Sequence, residues 1–147
     1  MKPKSAGCLI FLIDNDSGEP LFFLVKPNAS QAAYGIPKGE IELNEAPIFA
    51  AMRETTEETS LEFKVIAPLG KVKYKSRKTV EGFLAKYKGG QFKCTSYFDH
   101  KHLGNIPEVC DGRFFTYKQA IDSIMPAQRP FIERAAELLR RDSYANL

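Results

Sequence analysis

Residues 39–61 read Gly39-Glu40-Ile41-Glu42-Leu43-Asn44-Glu45-Ala46-Pro47-Ile48-Phe49-Ala50-Ala51-Met52-Arg53-Glu54-Thr55-Thr56-Glu57-Glu58-Thr59-Ser60-Leu61. They follow the turn signal Pro37-Lys38 and carry a helical pattern. Asn44 offers the side-chain oxygen that a helix N-cap uses to satisfy the first free N–H groups. Glu45 beside it suits the positive end of the helix dipole. Pro47 falls in the first turn, where a missing N–H costs nothing. No glycine or proline interrupts the pattern from there to Thr59. At about 100° per residue, Ile48, Met52, Thr55 and Thr59 line up on one side, with Ala51 at its edge. Glu54, Glu57 and Glu58 share a different patch, and like charges that close repel. Three glutamates on a helix are usually a solvated face, with Arg53 as an ion-pair partner. The alternative is a site for a divalent cation, which would turn the repulsion into binding. Carboxylate ligands with open water positions suit Mg²⁺ or Mn²⁺ and not zinc.

The spacing decides between these readings. Gly39, five residues, Glu45, seven residues, then Arg53-Glu54-x-x-Glu57-Glu58 resembles the Nudix box. Six such positions would coincide by chance in on the order of one chain in a hundred thousand. The preceding Ile36-Pro37-Lys38-Gly39-Glu40 strengthens the resemblance, because many Nudix hydrolases carry a Pro-Lys-Gly or Pro-Gly-Gly turn there. Two positions depart from the pattern. Thr55 stands where an aliphatic residue is usual, although threonine recurs there in the family's diadenosine polyphosphate hydrolases. Ser60 stands where the box has glycine; a left-handed residue with a Cβ costs roughly 1 kcal/mol or more, so the end of the helix is the feature in question.

The rest of the chain frames this element. Its 147 residues fit one domain, 44% of them hydrophobic and 12% aromatic, enough for a real core. A net charge of +3 does not demand a nucleic-acid polymer as partner. The longest apolar run, residues 8–13, is too short to span a membrane, and no signal-peptide pattern follows the basic Met1-Lys2-Pro3-Lys4. Cys8, Cys94 and Cys110 are odd in number and lack metal-ligand spacing, so reduced thiols in a cytoplasmic protein are expected.

Residues 5–14 read as a strand, with a nearly continuous apolar run over 6–13 as in burial on both faces. Asn15-Asp16-Ser17-Gly18 is a turn, and 20–25 completes a hairpin. The polar loop 26–33 leads through Tyr34-Gly35 into the box and is expected to flank the site. A strand over 63–74, broken by Pro68, carries Lys71, Lys73 and Lys75 on one face. Ser76-Arg77-Lys78 turns the chain into a strand over 79–87. Residues 92–104 give no clear pattern. A short strand over 111–115 precedes a helix over 117–124 that Thr116 can cap and Pro126 stops. The last helix, 128–141, turns Phe131, Ala135, Leu138 and Leu139 inward.

A second resemblance runs through Ile106-Pro107-Glu108-Val109, Arg113-Phe114-Phe115 and Met125-Pro126-Ala127-Gln128-Arg129-Pro130-Phe131. It is to a bacterial group of small Nudix proteins, whose start is matched by Lys4-Ser5-Ala6-Gly7. The fold these resemblances imply is α/β, the Nudix α/β/α sandwich with a mixed central sheet, as a single domain over 1–147. The activity they imply is metal-dependent hydrolysis of a pyrophosphate linkage in a nucleoside polyphosphate, with Mg²⁺, or Mn²⁺, as cofactor. Glu57 and Glu58 match the family's metal ligands, and Glu54 matches a position that is ligand or general base. The Lys38 carbonyl would add a ligand and its ammonium would approach a phosphate. Arg53 would orient a carboxylate through a bidentate pair, and Gly39 and Glu45 are structural. Glu108, six residues before Phe114, is the expected extra acidic ligand, with Asp111 and Asp99 as rivals. Lys71, Lys73, Lys75 and Lys78 are candidates to hold the polyphosphate tail, and Tyr34, Phe98 and His100 to stack a base. Each has a plainer reading as solvated strand face or loop packing.

Dinucleoside polyphosphates of the diadenosine tetraphosphate type are the first expectation. Alternatives are a nucleoside triphosphate, an RNA 5′ end, or a non-catalytic nucleotide-binding Nudix module. An isomerase of the isopentenyl diphosphate type would need a second set of catalytic residues that the sequence does not supply. A nucleotide is the expected partner, with no membrane, in a monomer or homodimer.

Overall fold

The computed structural model describes residues 4–29 and 31–141; Met1-Lys2-Pro3, and Ser30 of the 26–33 loop, lie outside them. The strands are β1 (Lys4–Ile13), β2 (Pro20–Pro27), β3 (Lys38–Glu40), β4 (Glu62–Lys73), β5 (Thr79–Gly89), β6 (Tyr97–His100), β7 (Gly104–Pro107) and β8 (Val109–Thr116). The helices are α1 (Pro47–Thr59), α2 (Tyr117–Ser123) and α3 (Arg129–Arg141), with a 3₁₀ turn (Pro126–Gln128) ahead of α3. None is long and apolar enough to cross a membrane.

The apolar run of β1 places it at the centre. It lies parallel to β5, from Lys4 opposite Thr79 to Phe11 opposite Lys86. Its other edge is divided: Ser5 to Gly7 pair antiparallel with β3, and Ile10 to Ile13 with β2. The sheet therefore runs β4-β5-β1-β2-β8 and is mixed, with β3 attached beside the start of β1. Alternate residues of β1 feed two cores, as the period-2 pleat requires. Leu9 and Phe11 join Phe22, Leu24, Leu84, Phe131 and Ile132 beneath α3. Ala6, Cys8 and Ile10 join Phe23, Val25, Ala50, Ala51 and Phe83 beneath α1. The result is the expected α/β/α sandwich. Gly82 makes the α3 side possible, since a β-carbon there would lie 2.7 Å from the Phe131 ring.

Most expected elements stand within one or two residues of their sequence positions. Pro68 does disturb β4, whose pairing with β5 shifts between Pro68 and Gly70. Thr116 caps α2 with a full capping box, its hydroxyl accepting from Gln119 N and Gln119 reaching back. Residues 92–104, which gave no pattern, include β6, which pairs with β7 in a small separate sheet. The expected final helix starts at Arg129, because Pro126–Gln128 form the tighter turn first.

Two expectations about α1 and its neighbours are corrected, the Asn44 cap and the Lys75 strand face. Its N-cap is Ala46 and not Asn44, with no side-chain bond, and Pro47 opens the helix. Asn44 instead takes φ 65° in the approach loop, a conformation asparagine tolerates. Glu45 thus precedes the helix, accepting a bond from Glu42 N (3.0 Å) that closes the turn. Ile48 and Met52 are 36% and 39% exposed, because the helix leans on the sheet through small residues, Ala50, Ala51, Thr55 and Thr59. Lys75 does not share a strand face with Lys71 and Lys73, since β4 ends at Lys73 and Lys75 sits in the following turn. The cysteines are free thiols: Cys8 buried, Cys94 half-buried, Cys110 exposed.

Candidate active site

The box loop, α1 and β1 are joined at Thr55. Its buried hydroxyl accepts from Cys8 N (3.1 Å) and donates to Pro37 O (3.4 Å). An aliphatic residue would leave both backbone groups without that partner, so the threonine has a local reason. Gly7 lets the Pro37-Lys38 backbone come close to β1, and Gly39 does the same for Glu54. Ser60 closes α1 at φ 59°, ψ 10°, the left-handed position expected of the box glycine. Its hydroxyl donates to Lys93 O (2.7 Å), which gives the serine something to offset its strained backbone.

Arg53 organises the acidic patch. It pairs bidentately with Glu45, Nε and Nη2 each at 2.9 Å, and its Nη1 donates to Glu54 at 2.7 Å. Its Nη2 also donates to Glu40 O (3.1 Å), and Glu57 lies 3.8 Å away. The guanidinium holds Glu45 down to about 2, helped by the Glu42 N–H. The bidentate partner that orients Arg53 is therefore Glu45, while Glu54 is its single-bonded neighbour.

Glu58 is the buried carboxylate, 5% exposed, accepting from Lys38 N (3.3 Å). Burial pushes its carboxyl up to about 8; Glu108 and Glu54 add to that, and Lys38 opposes it. Burial also raises Glu54 and Glu108, and Glu57 repels both. Burial lowers the Lys38 ammonium, with Lys78 repelling it.

Two cavities open on this cluster. One, of about 330 Å³, is lined by Ser5, Lys38, Gly39, Glu40, Glu54, Lys78 and Glu108. The other, of about 200 Å³, shares Lys38 and Glu108 and adds Glu58, Tyr74 and Gln128 among apolar walls. Ser5 Oγ is buried and has no hydrogen-bond partner among the described residues.

Among the described residues no three acidic, histidine or cysteine side chains close around one point as a finished metal cage would. Glu54 is held by Arg53 and Glu58 by the Lys38 N–H instead. The donor chemistry nevertheless fits a hard divalent cation: Glu54, Glu58 and Glu108 are oxygen donors whose carboxyls burial raises, Glu108 adding to the rise of the other two.

The sequence-derived candidates divide. Lys38, Glu54, Glu58, Glu108 and Lys78 line these cavities, and Glu57 lies close enough to repel Glu54 and Glu108. Glu108 is brought there by its backbone, whose N–H donates to Ser96 O (2.9 Å) and whose carbonyl accepts from Asn28 N (2.8 Å). Asp111 turns to Tyr34 and Arg113, and Asp99 sits in the β6–β7 hairpin. Tyr34 lines neither cavity: its ring packs on Phe115 at 4.9 Å under the Arg113 guanidinium. Phe98 and His100 neighbour each other in the same hairpin. Lys71 lines an adjoining pocket with Lys4, Ser5 and Thr79, while Lys73 and Lys75 are exposed. Sequence reasoning passed over Ser5, Tyr74 and Gln128. Ser5 and Gln128 lay within quoted motifs, but nothing in their spacing marked them for the site.

A mixed sheet between helices, with a carboxylate-rich helix docked by a Gly-Arg-Glu lock beside a cleft that carries both glutamates and lysines, defines an α/β/α sandwich with a charged site. The model of the Nudix domain matches residues 2–135, and the chain belongs to the Nudix family. It is 37% identical over 65 residues to a protein described as the mutator protein MutT4 of Mycobacterium tuberculosis. That match covers 40% of this chain and 26% of the relative's length. Among solved structures, a Caenorhabditis elegans Ap4A hydrolase superposes with a TM-score of 0.74 at 19% identity, covering 94% of this chain and 99% of that one. An ADP-ribose pyrophosphatase of Streptococcus suis superposes at 0.63 with 17% identity, covering 96% and 92%. At these identities the likeness to the solved structures is one of fold.

Proposed function

We propose that this Nudix pyrophosphohydrolase cleaves a dinucleoside polyphosphate of the diadenosine tetraphosphate type, with Mg²⁺ or Mn²⁺ as cofactor. The observation that carries the reading is the placing of Glu54 and Glu108 against Lys38 and Lys78 across one cleft, with buried Glu58 in the cavity that shares Lys38 and Glu108. An acidic cluster alone would suit a cation, and lysines alone a phosphate. Together they suit a metal–polyphosphate. A divalent cation would be held by Glu57, Glu58, Glu108 and the Lys38 carbonyl, and would supply charge neutralisation and lower the pKa of water.

The chain's own residues do the rest. Glu54, its pKa raised by burial, is the general base, and Arg53 fixes its rotamer. Water oxygen bonds to phosphorus as the bridging P–O bond breaks; the water proton goes to Glu54 and the electron pair leaves with the departing phosphate. Lys38 and Lys78 offset the charge on the phosphates. Ser5, with its unpartnered hydroxyl, joins the cleft to the pocket of Lys4 and Lys71, which gives a longer phosphate chain somewhere to lie. Tyr34, Lys73 and Lys75 are dropped from the substrate-binding set. The free thiols are consistent with a cytoplasmic setting.

A screen of nucleotides with Mg²⁺ and Mn²⁺, following phosphate after added phosphatase, tests this. Diadenosine tetraphosphate is expected to give the highest kcat/KM, and a nucleoside triphosphate or RNA 5′ end turned over faster would replace it. Glu57→Gln is expected to lower kcat about a thousandfold. Unchanged activity in that variant, or no turnover of any nucleotide, would overturn the catalytic reading in favour of a binding module.

A further inference from the structure

Gln128 is fully buried, at the end of the 3₁₀ turn before α3. Its Oε1 accepts from Ile36 N at 2.8 Å, and its Nε2 donates to the Tyr74 hydroxyl at 2.7 Å. Gly35 allows this approach, since a β-carbon there would lie 2.9 Å from the same Oε1. The Ile36 N–H can only donate, so it fixes which end of the carboxamide is oxygen. The NH₂ end must then face Tyr74, and the phenol oxygen acts as acceptor in that bond. A phenol has one proton to give. That proton finds no acceptor among the described residues.

Tyr74 and Gln128 both line the 200 Å³ cavity beside Glu58, Lys38 and Glu108, and its apolar walls include Val25, Pro27, Ile36, Val109 and Met125. Drug-sized ligands occupy roughly 300–1,000 Å³, so this space takes one ring-sized group. Apolar walls with the neutral Tyr74 hydroxyl, beside the charged Lys38, Glu58 and Glu108, suit a flat heterocycle that carries an acceptor atom and is joined to a phosphate. Lys78, at the other end of the turn that starts at Tyr74, faces the neighbouring polyphosphate cleft, and Lys38 and Glu108 line both spaces.

We propose that Tyr74, oriented by Gln128, donates a hydrogen bond to the base of the nucleoside bound in this cavity. Tyr74 is thus a substrate-binding residue for the base, and Gln128 is its positioning residue. This rests on the reading of the adjoining cleft as a polyphosphate site.

The test is calorimetric titration of the full chain with AMP and with methylenediphosphonate, a phosphate-only probe, in Mg²⁺. Tyr74→Phe is expected to weaken AMP about five- to tenfold, the worth of a neutral hydrogen bond, and to leave the diphosphonate unchanged. Gln128→Glu keeps an acceptor for Ile36 N–H but presents a second acceptor to Tyr74, drawing the phenolic proton away from the cavity. It is expected to weaken AMP to the same degree, with no further loss in the double variant. If Gln128→Glu does not fold, Tyr74→Phe decides alone. Unchanged AMP affinity in Tyr74→Phe, or equal weakening of both probes, overturns the proposal. Wild type binding the diphosphonate but not AMP also overturns it and leaves the polyphosphate cleft standing, whereas failure to bind either sinks the cleft reading itself.

Discussion

The Glu54 carboxylate occupies the space that a β-carbon on Gly39 would need. The glycine is required by contact and not by backbone conformation. A methyl group there must displace Glu54 from its 2.7 Å bond with Arg53 or push β3 away from α1. Misplacing a catalytic group by about 1 Å can cost a hundredfold. Gly39→Ala is therefore expected to lower kcat about a hundredfold with a smaller effect on the melting temperature. Saturating-substrate rates alongside a thermal melt check this, and an unchanged kcat would mean that the position of Glu54 is immaterial.

At Ser60 two effects oppose each other. Glycine would relieve a left-handed backbone by roughly 1 kcal/mol, but it would lose the bond from the hydroxyl to Lys93 O, worth about 1 kcal/mol. Ser60→Gly is expected to leave stability within about 0.5 kcal/mol of wild type. Ser60→Ala keeps the strain, loses the bond, and is expected to fall about 1 kcal/mol below it. Denaturant titrations of the two variants separate the effects. An alanine variant as stable as wild type would show that the hydroxyl bond contributes nothing.

These two positions show what the sequence could and could not say. The box glycine, arginine and glutamates were legible because the motif fixes their spacing, and strand β1 because its apolar run is long. The N-cap was misplaced because Asn44 has the right side chain but the chain needed a left-handed residue there, and Pro47 opens the helix unaided. Ile48 and Met52 share a side of α1 with Thr55 and Thr59 yet stay partly exposed, because close docking on β1 selects small residues, which periodicity alone does not rank. Tyr74 and Gln128 meet across a separation of 54 residues, which no local pattern reports.

Glu58 makes stability fall with pH in the metal-free protein. Its carboxyl is raised from 4.5 to about 8, so the folded chain keeps a proton there that the unfolded chain has lost. That contribution is full below pH 4.5 and disappears as pH rises through about 8. Glu45, held down to about 2, acts oppositely but only below the ordinary carboxylate range. Melts in EDTA between about pH 5 and 8.5 are expected to show wild type losing a few kcal/mol relative to Glu58→Gln. A difference between the two proteins that is constant across that range would place Glu58 in water.

The lysines are expected to separate by substrate length. Lys78 lines the cleft with Glu54, and Lys71 lies one pocket further on. Charge-assisted phosphate contacts are worth about 1.5–3 kcal/mol. Lys78→Ala should therefore raise KM about tenfold or more for diphosphate and tetraphosphate substrates alike. Lys71→Ala should raise it for the tetraphosphate only, and Lys73→Ala and Lys75→Ala should stay within about twofold, as exposed charges do. Equal effects of Lys71→Ala on both substrates would return it to a solvated strand face.

Glu108 and Asp111 are three residues apart and face different surroundings. Glu108 lines both cavities and raises the pKa of Glu54 and Glu58, while its own rises through burial and the charge of Glu57. Asp111 accepts from the Tyr34 hydroxyl and lies 3.6 Å from Arg113. If Glu108 completes the metal site, Glu108→Ala should raise the Mg²⁺ concentration for half-maximal activity about tenfold or more, because a charged ligand is lost. The metal-free melt should hold or rise, since a carboxylate repelled by its neighbours has been removed. Asp111→Ala should do the reverse: little change in metal activation, with lower stability as the Tyr34 hydroxyl loses its acceptor. Metal titrations of activity and EDTA melts on both variants decide the matter. Loss of metal activation in Asp111→Ala and not in Glu108→Ala would transfer the ligand role to Asp111 and require the 108–113 segment to turn over when metal binds.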